Sequence, residues 1–351
     1  MSGLFTYSNP RLIHWGPGSV TALGGELTRL EAHRIALVTT RSLVAEERLL
    51  SIVQRALGDA RVVVTAVVNQ HAPMAQVDSA IRAAGDAQVD GVVSFGGGSP
   101  IDAAKMLAVK VADRGGHATR GLPHVAVPTT LSAAELAAGA GFTDGAGNKA
   151  GMRDPRLLPD AVIYDAELTL ATPLALWLST GIRALDHAVE GFFADGLHPF
   201  SDVMALEAIR RLFDSLPRAK AAPADVGVRT ENQLAAWFSF TLPGESAGGL
   251  SHAMGKQIGA RHGIPHGVTS CLLLPHVMRY YKRRTPDRLA MLEAATGADP
   301  PERVQTLIDS LGLPQHIAAY GLGAAELREA AGKLAGKYPT EDVLEIYLAA
   351  L

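Results

Sequence analysis

The stretch GGLSHAMGKQIGARHGIPHG, Gly248 to Gly267, sets His252 and His266 fourteen residues apart, with Lys256 and His262 between them. Imidazoles ligate divalent ions, and they also serve as acids and bases near neutral pH. The lysine shifts the balance, because an ammonium beside a divalent cation opposes its binding. Upstream, STGIRALDHAVEG, Ser179 to Gly191, reads as a helix. Arg183 and His187 lie one turn apart there and share a face, and Asp186 and Glu190 share another, displaced from the first. Such a set can do one of two things. Its histidines can ligate a metal, or its cations can grip and protonate an anion. Taken singly, His187 and His252 are each better accounted for as an ordinary satisfied helix histidine than as a ligand.

A second group is FGGGSPIDAAK, Phe95 to Lys105, at the end of a strand and the start of a helix. Gly96, Gly97 and Gly98 let the backbone approach a phosphate, and the helix start adds free N–H groups and a positive dipole end. Ser99 can add a hydroxyl donor. Asp102 and Lys105, one turn apart, are candidates for a ribose or phosphate. The spacing is neither G-x-G-x-x-G nor the Walker pattern. The competing explanation is a turn that needs glycine only for packing. VPTTLSAAE, Val127 to Glu135, is a further strand end where Thr129, Thr130 and Ser132 can line a pocket. RIALVTTRSL ends its strand in Thr39 and Thr40, followed by Arg41. NAD-selective sites carry an acid at such a place for the ribose 2′-OH. Arg41 can instead accept a 2′-phosphate, or be a solvated surface charge, so either NAD or NADP is expected.

The elements that must position these groups follow from the pattern. RIALVTT, RVVVTAVV, GVVSFGG, HVAVPTT and AVIYDAELT are strand-like runs, and helical spacing separates the first four. That alternation implies βαβ units and a mostly parallel sheet. The second and third helices are expected over MAQVDSAIRAAGDAQ and SPIDAAKMLAVKVAD, and a single first helix over SLVAEERLLSIVQRAL. From about Pro173 long helical stretches dominate: ALWLSTGIRALDHAVEGFFAD, SDVMALEAIRRLFDSL and VRTENQLAAWFSFTL. The expected domains are an α/β domain over 1–165 and a helical domain over 166–351.

The bulk properties fit an enzyme of this plan. The 351 residues exceed one ordinary core, and 48% hydrophobic with 19% charged residues is a folding composition. A net charge of −3 gives no general attraction to nucleic acid or anionic membrane. The single cysteine, Cys271, cannot make an internal disulfide, which suits a reducing cytosol. No apolar run is long enough to span a bilayer, and the first residues lack the layout of a signal peptide.

GGGSPIDAAK, PTT, DPRLLPDAVIYD, TGIRALDHAVEG and SHAMGKQIGARHGIPHGVTSCLLLPHVMRY come in the order, and at about the spacing, of the iron-containing alcohol dehydrogenase family. The chain resembles that family over nearly its whole length. PHGVTSCLLLPHVMRY is the most specific piece. The opening FTYSNPRLIHWGPGSV and the chain length resemble most the maleylacetate reductase branch. The resemblance implies a dinucleotide-binding α/β domain with a mostly parallel sheet, followed by an all-helical domain, an architecture shared with dehydroquinate synthase. It also implies a homodimer.

Metal-dependent members hold iron or zinc with an aspartate and three histidines. Carried over, the histidines are His187, His252 and His266, and the aspartate position is Arg183. A further histidine common in the family falls on Lys256. A guanidinium in place of a carboxylate reverses the local charge. At about 4–6 Å and an effective dielectric of roughly 20, each like-charge contact costs on the order of 3–4 kcal/mol. Asp186 is not expected to compensate, because on a helix it is turned about 300° from Arg183. The expectation is therefore a pocket without iron or zinc. In it Arg183, Lys256, His187, His252 and His266 act on a small carboxylate, with Arg183 as anchor and Lys256 or a histidine as proton donor. The implied reaction is NAD(P)H-dependent reduction of an unsaturated or keto acid of the kind formed by aromatic ring cleavage. The alternatives are a metal-dependent alcohol dehydrogenase or aldehyde reductase with Arg183 swung outward, and a non-redox lyase or cyclase reusing the fold.

Overall fold

The computed structural model describes residues 10, 12–116, 119–194, 198–240 and 249–351. The chain divides into two compact units, one ending at Thr172 and the other running from Pro173 to Leu351.

The first unit holds a six-stranded sheet made of β1 (Leu12–Trp15), β2 (Arg34–Thr39), β3 (Arg61–Val67), β4 (Gly91–Gly96), β5 (His124–Pro128) and β8 (Ala161–Tyr164). Their order is β1-β8-β5-β4-β2-β3, and every pairing is parallel. Helices α1 (Leu23–Arg29), α2 (Arg41–Ala45), α3 (Glu47–Ala56), α4 (Met74–Asp86) and α5 (Gly98–Arg114) accompany it. Alternate residues of one strand serve different cores, as the period of two requires. Ile35, Leu37, Val93 and Phe95 pack with Leu23, Leu27 and Val53, while Ala36, Val38 and Val92 pack with Val77, Ile81, Ala104 and Leu107. Burial on both faces explains why these strands read as nearly continuous apolar runs.

Three details depart from the sequence reading. β1 pairs with β8 at the sheet edge. An antiparallel hairpin, β6 (Gly139–Thr143) with β7 (Lys149–Arg153), forms a second sheet. Glycine and alanine supply half of its strand residues, so it lacks the β-branched signal of the other strands. The single helix expected after β2 is broken at Glu46, whose ψ of 68° interrupts the helical backbone between α2 and α3.

The second unit is helical: α6 (Leu174–Phe192), α7 (Pro199–Ala221), α8 (Val226–Ser239), α9 (Leu250–Ile258), α10 (His266–Arg284), α11 (Pro286–Thr296), α12 (Pro300–Leu311), α13 (Ala324–Gly332) and α14 (Thr340–Ala349). The end of the stretch read as a helix through Leu242 lies outside the described residues. α6 is enclosed on nearly all sides, and its core positions Trp177, Leu178, Ile182, Leu185, Ala188 and Phe192 are buried. A Cβ on Gly267 would meet the Ser179 carbonyl at 2.7 Å, so the first turn of α10 lies directly on the α6 backbone. Gly255 of α9 is similarly tight against Thr269 of α10, at 2.8 Å. These contacts fix where α9 and α10 lay their side chains along α6. Among the described residues no helix is long and apolar enough to cross a membrane.

Candidate functional site

In the α/β unit the glycine turn joins β4 to α5 as expected. Gly96 has a φ of +147°, which favours glycine, and a Cβ there would meet Pro100 at 2.7 Å. A Cβ on Gly97 would meet the Thr130 methyl at 2.9 Å, and one on Gly98 would approach the Ser132 hydroxyl at 3.2 Å. The turn is thus seated on the loop after β5, and packing accounts for part of its glycine content. Both features remain compatible with a phosphate cradle, since the first N–H groups of α5 have no helical partner by construction.

The surrounding candidates divide. Ser99 accepts a hydrogen bond from the His71 N–H at 2.9 Å, leaving its own hydroxyl hydrogen to donate. Thr40 caps α2, its Oγ1 accepting from the Leu43 N–H at 3.4 Å. Thr129 and Thr130 are buried, and Thr130 Oγ1 bonds Ser132 Oγ at 3.3 Å. Lys105 is a correction. Its ammonium is fully buried and donates to the carbonyls of Ala134, Ala137 and Gly139, the last two at 2.8 Å. Three donors to three acceptors exhaust it, so Lys105 ties down the loop before β6 and does not reach out to a phosphate. Asp102 is drawn in with it: Oδ2 accepts from the Gly141 N–H at 2.9 Å, and Oδ1 is 3.8 Å from Lys105 Nζ. Glu135 completes this interior group, accepting from the Tyr164 hydroxyl at 2.6 Å. His71 and Lys149 were not read as site residues. Lys149 is close enough to disfavour charge on His71, after burial, and to favour it on Asp102.

In the helical unit α6 contributes Arg183, Asp186, His187 and Glu190, α9 contributes Ser251, His252 and Lys256, and α10 contributes His266 and Ser270. The rings of His187 and His252 stand 4.7 Å apart between centroids, and Phe240 meets the His187 ring edge-on at 4.9 Å. Nδ1 of His187 and Nε2 of His252 are buried without hydrogen-bond partners among the described residues. Burial, reinforced by Arg183, keeps both rings neutral: His187 falls well below the usual imidazole range, and His252 to about 3. His266 opens α10 directly after Pro265.

Arg183 is turned inward. Its side chain is 11% exposed, Nη1 donates to Ser270 Oγ at 3.1 Å, and the same nitrogen lies 3.7 Å from Asp186 Oδ2. The expectation that Asp186 faces away from Arg183 is therefore wrong. A turn of about 300° forward is the same as about 60° back, which is the ordinary i, i+3 neighbour relation. Asp186 Oδ2 also accepts from the hydroxyls of Ser251, at 2.9 Å, and Ser270, at 2.6 Å. Glu190 was overlooked as well. It accepts from the backbone N–H groups of Gly249 and Ser251, and its Oε2 shares a hydrogen bond with Nδ1 of His252. Burial raises its carboxyl to about 7, against the pull of those amides and of Arg183. Its spacing from Asp186 was legible, but its partner is 62 residues away in sequence.

Asp186, Glu190 and His252 could be asked to hold a cation, since their ligand atoms lie within 4.8 Å of one another. The alternative set, His187, His252 and His266, would use imidazole nitrogens in place of the carboxylates. The whole arrangement can polarise or bind a small anion, accept a hydrogen bond at His252, and exclude water from both.

Comparison with known proteins agrees with this architecture. The family model for iron-containing alcohol dehydrogenase matches residues 10–166, and that for the C-terminal domain of the Fe-containing alcohol dehydrogenase family matches residues 177–342. The chain belongs to the iron-containing alcohol dehydrogenase family, and it is an NAD(P)-dependent oxidoreductase. Within the family it falls on the maleylacetate reductase-like branch. It is 31% identical to the maleylacetate reductase of Pseudomonas aeruginosa, over 98% of this chain and 95% of that one. The crystal structure of maleylacetate reductase from Agrobacterium tumefaciens superposes with a TM-score of 0.87 at 29% identity, covering 100% of this chain and 99% of that one. That from Rhizobium sp. strain MTP-10005 gives 0.85 at 29%, covering 100% and 98%.

Proposed function

We propose that this oxidoreductase reduces an unsaturated or keto carboxylic acid, in the manner of maleylacetate reductase, with hydride from NADH or NADPH and without a metal. One observation carries the reading: a buried guanidinium, Arg183, stands where metal-dependent relatives have an aspartate, and Ser270 and Asp186 hold it there. The residues present do not fit a resident iron or zinc. A divalent ion among the histidines would face Arg183. One on Asp186 and Glu190 would have to displace the hydroxyls and backbone amides those carboxylates already accept from. No step is therefore routed through a metal.

Arg183 offers a planar fork that matches a carboxylate. Hydride passes to the substrate carbon and a proton completes the reduction, leaving oxidised nicotinamide. Lys256, one turn along α9 from His252, is the proton donor of this reading. The cofactor is held at Gly96, Gly97, Gly98 and Ser99, with Thr40, Thr129 and Thr130 alongside. A cytosolic homodimer belongs to the same reading, supported by the family likeness and the single buried cysteine.

A second reading, a metal-dependent aldehyde reductase, is favoured by Nε2 of His252, which has no partner among the described residues, since a ligating histidine has its other nitrogen hydrogen-bonded to a carboxylate or carbonyl. The test is a turnover screen of unsaturated keto acids and simple aldehydes with each reduced cofactor, before and after chelation. Reduction of the acids that survives chelation sustains the first reading. Reduction of aldehydes alone, lost on chelation and regained with iron or zinc, replaces it with the second.

A further inference from the structure

We propose that Ser270 is a positioning residue for Arg183: its hydroxyl holds the guanidinium apart from Asp186, so that the fork is kept for a substrate carboxylate and is not spent inside the protein. This deepens the reading above and rests on it for the role of Arg183 as anchor. Asp186 follows Arg183 by three residues on α6, the spacing at which an arginine and a carboxylate ordinarily pair. A bidentate pair would occupy the nitrogens that match a carboxylate of the substrate. The structure holds a different arrangement. Arg183 Nη1 donates to Ser270 Oγ at 3.1 Å, and Ser270 Oγ lies 2.6 Å from Asp186 Oδ2. Nη1 and Oδ2 are 3.7 Å apart, too far for a hydrogen bond of their own. Among the described residues Ser270 is the one hydrogen-bond acceptor of this guanidinium.

The helix crossing fixes where that hydroxyl sits. Ser270 is buried on α10, three residues after Gly267, where a Cβ would meet the Ser179 carbonyl of α6 at 2.7 Å. Arg183 follows Ser179 by four residues, so the Arg183–Ser270 bond falls one turn along both helices from the tight contact. Ser251 of α9 meets the same oxygen of Asp186, at 2.9 Å, and holds the carboxylate from another helix. A guanidinium can only donate, so its bond to Ser270 has one direction whatever protons the neighbouring acids carry. The consequence is an anchor that is ordered before the substrate arrives, and order already present is not a cost of binding.

The test joins crystallography and kinetics on the full-length protein. Ser270→Ala removes the hydroxyl and is the mildest change a helix position admits. Its crystal structure is expected to show Arg183 hydrogen-bonded directly to Asp186, where the parent keeps the two out of reach. A guanidinium that stays in place in the variant overturns the proposal, and neither result needs a substrate. For the acid that the enzyme reduces, Ser270→Ala should raise KM roughly 3- to 10-fold, the value of one hydrogen bond. That is less than the effect of Arg183→Ala, and kcat and the KM for reduced cofactor should change little. Added to Arg183→Ala, Ser270→Ala should raise KM no further, because its effect runs through the guanidinium. Equal increases with and without Arg183 mean that Ser270 acts on the fold, and the proposal fails. If Arg183→Ala itself leaves KM for the acid unchanged, the anchoring reading falls, and the two crystal structures alone decide whether Ser270 keeps the pair apart.

Discussion

Each unit of this protein buries a cation beside two carboxylates, and the two clusters have opposite character. In the α/β unit, Lys105 is saturated by three carbonyls, with Asp102 and Glu135 on neighbouring backbone and side-chain donors. Within that group one atom, Glu135 Oε2, lacks a partner. In the helical unit, Arg183, Asp186 and Glu190 surround two histidines, and Asp186 Oδ1, His187 Nδ1 and His252 Nε2 all lack one among the described residues. Burying a polar group without a hydrogen bond is costly. A cluster that closes on itself holds the fold together. One that leaves several buried polar atoms unpaired among the described residues is where the proposed reading places its substrate.

The sharpest way to break this comparison is Lys105→Met. If the ammonium is structural, its loss strands three carbonyls and removes the cation beside Asp102 and Glu135. Stability should then fall by about 3–5 kcal/mol, the usual cost of breaking a buried pair. Denaturant melting reads this, and a variant that melts as the parent does but binds NADH poorly would return Lys105 to the phosphate. The helical cluster should answer differently. Arg183→Ala should raise KM for an acidic substrate by roughly 10- to 150-fold, the value of one charged hydrogen bond, with a smaller change in melting than Lys105→Met. Lys256→Met should lower kcat more than it raises KM. Equal KM for the acid and its neutral ester in the parent enzyme would contradict the anchoring role of Arg183. The smallest effect concerns the glycine turn, where packing and ligand binding compete as explanations. Gly97→Ala pushes a methyl toward Thr130, and Thr130→Ser removes the atom it would meet. The double variant should recover stability to within about 1 kcal/mol yet still bind NADH more weakly than the parent by calorimetry. Full recovery of both would make the turn a packing device alone.

The sequence made the larger plan legible because both faces of the sheet are covered. RIALVTT, GVVSFGG and HVAVPTT read as strands for that reason, and the glycine turn could be set between strand and helix. The β6–β7 hairpin escaped because GAGFT and KAGMR carry little β-branched or aromatic character. On α6 the helical period sets His187 one turn from Arg183, and the same period brings Asp186, three residues on, beside Arg183. Glu190 was visible as a helix residue, but its meeting with His252 depends on how α9 is seated, which no local pattern encodes. Lys105 was misassigned for the same reason. The carbonyls that absorb it belong to a loop some thirty residues further on, Ala134 to Gly139.

The close crossing at Gly267 and Ser179 has a consequence for how such an enzyme can change over generations. The crossing is fixed by contact with bare backbone, at a position that admits no side chain. Charge can therefore be exchanged along α6, as at residue 183, without altering where the helices meet. Substrate preference and metal dependence can drift by single codon changes while the scaffold is inherited intact. The constraint on descent falls on a glycine that touches no ligand.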